Sequence, residues 1–202
     1  MSDEPSDSTT KSADSLRVFS RRAALKAGIA LGAVVGLSES ALASQEKPAA
    51  LRPQAGDWLV GVGDAGLTPL APEAIPTNGP PTMAWAMEPQ TGVVRSGSRL
   101  NRILLLRFEA ASLAEDTRAR AAGGVVAYTA ICTHNGCDVT EWLGDEQALA
   151  CPCHTTKFDP KNGARVLDGP APRPLPALPL TVAEGRLVVS RSFTTRVGFE
   201  LA

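Results

Sequence analysis

Apolar positions along the chain fall in short runs separated by turn residues. Trp58-Leu59-Val60-Gly61-Val62 reads as a strand, and Arg102-Ile103-Leu104-Leu105-Leu106-Arg107-Phe108 as a buried strand with charged ends. Ser112-Leu113-Ala114-Glu115 has the form of a capping box and predicts a helix to about Ala122, stopped by Gly123-Gly124. Strands follow over Val125–Ile131 and Gln147–Ala150. Residues 158–166 read as a hairpin turning at Asn162-Gly163, and Leu180-Thr181-Val182 and Leu187-Val188-Val189 as another around Glu184-Gly185. Short strands with regular turns predict an all-β domain, an antiparallel sandwich or small barrel with one short helix. Residues 44–56 form a lead-in. Residues 63–101, rich in Gly, Pro, Thr and Ser, take no assigned element, with Met83 and Trp85 expected to pack them onto the core.

The first 43 residues have a different pattern. Residues 1–19 are polar without an apolar period. Arg21-Arg22 precede an apolar run of 11 residues, Ala27–Leu37, and Ala41-Leu42-Ala43 follows. A charged stretch, a short apolar stretch and an Ala-x-Ala site are the parts of an export signal. The arginine pair resembles a twin-arginine signal, with Ala24 where a bulky apolar residue is usual. The run is shorter than the roughly 20 residues of a membrane span. The reading is a signal cleaved after Ala43 or, second, a short anchor at the inner membrane. Both put residues 44–202 in the periplasm, where disulfides persist.

Charge and composition narrow the function. Residues 44–202 carry 15 Lys plus Arg against 16 Asp plus Glu, and aromatics are 4% of the chain. Neither a basic footprint nor a stacking surface is present, so nucleic acid is not an expected partner.

All four Cys and both His lie in two short stretches, Cys132-Thr133-His134-Asn135-Gly136-Cys137 and Cys151-Pro152-Cys153-His154. Each follows a predicted strand, so the two loops can be neighbours at one sheet end. Two thiolates and two imidazoles suit a soft metal site. Two disulfides would leave the histidine pairing unexplained. A Cys2His2 zinc site would leave two Cys without a role. A Cys nucleophile with a His base would not need four thiols.

Cys-x-His-x-x-Cys with Cys-x-Cys-His resembles the two boxes of a Rieske iron–sulfur domain, over about Val125 to Val189, with the cluster-binding part at about 125–175. The resemblance implies one [2Fe–2S] cluster, with Cys132 and Cys151 on one iron and His134 and His154 on the other. It also implies a Cys137–Cys153 disulfide tying the loops. Gly169-Pro170-Ala171-Pro172 resembles the family's proline loop over the cluster. Such a domain transfers single electrons through surface imidazoles and has no substrate turnover of its own. Its potential lies at about −150 to +300 mV, against about −400 mV for an all-Cys plant-type cluster. High-potential members donate to sulfur from a Ser and a Tyr. The matching residues are Thr156, which can donate, and Phe158, which cannot. A midpoint below that of quinol-oxidising relatives is expected.

Within the family, ring-hydroxylating oxygenases need further His ligands that this chain lacks. The twin-arginine pattern, Thr156 with Phe158, and Val125–His134 resemble the arsenite oxidase small subunit. That implies a catalytic partner, molybdenum-containing in that family, and a c-type cytochrome acceptor. The second reading is the subunit of a cytochrome bc complex, with cytochromes b and c1 as partners, which Asn135 at the loop tip suits less well. A zinc- or disulfide-stapled binding module is the reading from another class.

Overall fold

The computed structural model describes residues 47–199. The export-signal reading falls on residues 1–43, outside the described residues. Among the described residues no helix is long and apolar enough to cross a membrane.

Ten strands alternate with turns: β1 Trp58–Gly61, β2 Thr82–Met87, β3 Ile103–Arg107, β4 Val125–Thr129, β5 Glu141–Leu143, β6 Ala148–Cys151, β7 Thr156–Asp159, β8 Arg165–Asp168, β9 Leu180–Ala183 and β10 Arg186–Val189. The fold is all-β, as expected. A six-stranded antiparallel sheet runs β4-β3-β2-β1-β10-β9, and a four-stranded one β5-β6-β7-β8. The larger sheet curls. The lead-in to β9 reaches the free edge of β4, where Leu178 N–H donates to the Ala127 carbonyl (2.9 Å) and Thr129 N–H to the Pro176 carbonyl (3.0 Å).

Alternation explains the continuous apolar runs. Ile103 and Leu105 of β3, with Val125 and Ala127 of β4, face Leu59, Ala84, Leu180, Leu187 and Val189 inside the curl. Leu104, Leu106, Val126 and Tyr128 face outward, onto a second core shared with Leu149, Cys151, Phe158, Ala171 and Leu175. Both faces of β3 and β4 are buried, so their sequences show no polar alternation. The second core carries the cysteine loops on the barrel. Tyr128 supports the join, since its hydroxyl donates to the Pro160 carbonyl at 2.7 Å. Burial holds the Tyr128 phenol well above its usual range.

The β9–β10 turn is as expected: Glu184 and Gly185 both have positive φ (+51° and +74°), the conformation of a two-residue type I′ hairpin. The β7–β8 turn is not centred on Asn162-Gly163. Asp159 pairs with Arg165, leaving a five-residue loop whose left-handed residues are Gly163 (φ +64°) and Ala164 (φ +51°). The helix predicted to Ala122 is one turn, α1 Glu115–Arg118, after a 3-10 turn at Ala110–Ser112. The Ser112 hydroxyl donates backward to the Glu109 carbonyl (2.7 Å) and caps nothing. The chain then tightens, with Arg120 N–H on the Thr117 carbonyl, and turns through Gly123-Gly124 into β4. β2 and β5 are strands that the sequence pattern did not reveal.

Candidate metal centre

Both cysteine stretches sit on turns that end strands. β4 runs to Thr129, and Val139 N–H donates back to the Ala130 carbonyl (2.8 Å). Inside that closure Cys132 N–H donates to the Cys137 carbonyl (2.8 Å) and Gly136 N–H to the Cys132 carbonyl (3.1 Å). The second loop is tighter: Cys151 and Thr156 are register partners, so Pro152–Thr155 turn between β6 and β7. A Cys137–Cys153 disulfide ties the loops together.

Cys132 and Cys151 are free thiols, each 1% exposed. Burial pushes the Cys132 thiol up to about 11; the His134 backbone N–H works against that, and the adjacent Cys151 adds to it. A thiol in that state is protonated at neutral pH, so metal loading must release its proton. The Sγ atoms of Cys137, Cys151 and Cys153 lie within 4.8 Å of one another. Two of them form the disulfide and cannot act as thiolates. Their closeness puts the bridge beside Cys151.

The histidines converge from the two loops. His134 Nδ1 and His154 Nδ1 are 3.2 Å apart, with ring planes at 86°. Two nitrogens bound at about 2.0–2.1 Å to one tetrahedral ion would be roughly 3.3–3.4 Å apart. The pair is therefore already at the spacing of two ligands on one ion. His154 is exposed and His134 half-buried. Thiols inside and imidazoles outside form a graded site.

The proline loop touches both boxes. Gly169 has φ +95°, and a Cβ there would lie 2.6 Å from the Thr156 Cα, so only glycine fits. Ala171 is buried; Pro170 and Pro172 are exposed. Thr133 Oγ1 donates to the Arg173 carbonyl (2.7 Å), fastening the loop to the first box. The Thr156 hydroxyl is the one buried side-chain polar atom among the described residues without a hydrogen-bond partner. A buried donor next to Cys151 with no protein acceptor fits an anionic sulfur group. Phe158 is fully buried and offers no donor.

Sequence reasoning missed the contacts of five residues. Thr133 and Arg173 link the loops. Arg99 donates to the Gly136 carbonyl (2.7 Å), and Asp138 bridges Arg99 (3.1 Å) and Arg102 (2.8 Å). No spacing rule marks them, because each acts across the fold.

Residues 92–179 match the Rieske [2Fe–2S] domain. This chain carries a Rieske domain. Over 76 residues it is 47% identical to a Haloferax mediterranei protein described as the Rieske subunit of a respiratory nitrate reductase, covering 37% of this chain and 34% of that one. Over 77 residues it is 42% identical to the cytochrome bc1 complex Rieske iron–sulfur subunit of Corynebacterium diphtheriae, covering 38% of this chain and 19% of that one. The chain thus spans about a third or less of the length of these relatives. The plasma-membrane Rieske protein of Synechocystis PCC 6803 superposes with TM-score 0.34 at 25% identity, over 53% of this chain and 84% of that one. A Rieske domain binds one [2Fe–2S] cluster. The thiol pair, the imidazole pair and the orphaned Thr156 hydroxyl fit that group.

Proposed function

We propose that this protein is the Rieske electron-transfer subunit of an exported oxidoreductase, with Cys132 and Cys151 holding one iron and His134 and His154 the other. When bound, the cluster supplies one-electron redox chemistry. The protein's residues set the conditions. Cys132 and Cys151 keep their sulfurs out of water, while His134 and His154 present ring edges at the surface. Neutral imidazoles bring less negative charge than thiolates, which raises the potential relative to an all-Cys site. The unpartnered Thr156 hydroxyl would supply a donor to a sulfur of the bound group, and Phe158 offers no second donor. The observation that carries the reading is the 3.2 Å approach of the two imidazole nitrogens from separate loops.

The finer reading is an arsenite-oxidase-like small subunit, passing electrons from a catalytic partner to a c-type cytochrome in the periplasm. Its support is the twin-arginine pattern and the Thr156–Phe158 pair. The bc-complex reading has the support of the matched relatives, against the exposed, polar Asn135 beside His134. The test is a redox titration of the native protein followed in the visible spectrum. A single one-electron wave between about −150 and +300 mV is expected. A two-electron thiol–disulfide wave, or none, would overturn the proposal. Release from washed membranes without detergent, and reduction by arsenite only with its partner present, would support the finer reading. Detergent-requiring retention with reduction by quinol would replace it with the bc reading.

A further inference from the structure

The C-terminal segment builds a groove against the first cysteine loop. Thr194 N–H donates to the Ala177 carbonyl (2.8 Å). The Arg173 guanidinium, in the loop after Pro172, donates to the Arg196 (2.9 Å) and Gly198 (2.6 Å) carbonyls. Phe199 lies over Gly136, where a Cβ would meet its ring at 3.0 Å. A groove of about 120 Å³ results, floored by Leu100, Ile131 and Val197 and edged by Arg99, Arg196 and Phe199. Phe199 is 42% exposed and the Arg99 side chain 53%. The groove includes Gly136, two residues from His134.

Its charge differs from that of the whole molecule, which is −1. Among the described residues, Arg99, Arg102 and Arg196 gather on this side, with the Asp138 carboxylate between Arg99 and Arg102. Glu141 and Asp168 lie on the four-stranded sheet, beside the other loop. We infer that the groove docks an acidic redox protein: an apolar side chain of the partner seats against Phe199, and carboxylates around it meet Arg99 and Arg196. The inference rests on the electron-transfer reading above. One electron then leaves the reduced protein and reduces the partner's metal ion, a ferric haem or Cu(II), by one charge.

With net charge near zero, salt dependence reports the local field rather than the overall charge. The probes are an acidic plastocyanin and the basic mitochondrial cytochrome c, titrated calorimetrically onto the native protein at rising salt. Transfer rates are followed by stopped flow. The acidic probe is expected to bind more tightly at low salt and lose affinity as salt rises. Arg196→Glu is expected to weaken it, on the order of threefold to tenfold at low salt, whereas Arg191→Glu leaves it unchanged. The Arg196 side chain holds no cysteine loop, so the visible spectrum must stay unaltered. Salt-independent binding, equal affinity in Arg196→Glu, or preference for the basic probe overturns the docking while leaving the electron-transfer reading intact. Absence of a redox-active spectrum overturns the electron-transfer reading instead.

Discussion

Thr156→Val separates two roles of one hydroxyl. The Thr156 side chain is 1% exposed and its Oγ1 has no protein partner. Valine keeps the shape and removes the donor. In the loaded protein, a hydrogen bond to a charged acceptor is worth about 1.5–3 kcal/mol. Such a bond favours the more negative, reduced form, so removing it lowers the potential. At about 59 mV per 1.4 kcal/mol for one electron, the ceiling is roughly 60–130 mV, because only the oxidised–reduced difference counts. In the metal-free protein the sign reverses. An unsatisfied buried hydroxyl costs about 1–3 kcal/mol, so valine should leave stability equal or higher. The assays are a redox titration of the loaded protein and urea unfolding of the metal-free one. An unchanged potential with lower metal-free stability would refute the reasoning, since the hydroxyl would then be serving the protein rather than the cluster.

Phe158→Tyr supplies a second donor and should raise the potential by at most a similar amount; an unchanged titration would mean that its hydroxyl does not reach sulfur. Cys151→Ser should yield protein without the reddish-brown colour, and full iron and sulfide content in that variant would sink the ligand assignment. Cys137→Ser opens a bridge spanning 16 residues and should cost about 3 kcal/mol in denaturant unfolding; an unchanged midpoint would show that the hydrogen bonds suffice to hold the loops. Gly169→Ala forces a Cβ to within 2.6 Å of the Thr156 Cα, so both stability and potential should shift, and a variant indistinguishable in both would contradict that close packing.

The cysteine–histidine loops were legible because their chemistry is local: six residues at fixed spacing, each stretch at the end of an apolar run. The disulfide followed from the family resemblance, and the structure contains it. β9–β10 was legible because Glu184-Gly185 meets the turn's demand for positive φ. β2 was not, because the residues it buries most deeply include Ala84 and Ala86, whose small side chains carry a weak hydrophobic signal. α1 was overestimated because Ser112 and Glu115 match a capping pattern while the chain must turn back through Gly123-Gly124 to enter β4. Arg99, Thr133 and Arg173 were invisible for a different reason. Thr133 and Arg173 are 40 positions apart, and Arg99 and Gly136 are 37 apart. Only tertiary structure brings them together.

The central claim is a mixed cysteine–histidine [2Fe–2S] centre. The direct measurement is the electron paramagnetic resonance spectrum of the native protein before and after dithionite. A rhombic signal that appears only on reduction, with an average g below the free-electron value, is the predicted result. A colourless, silent protein containing zinc would contradict it and leave a stapled binding module.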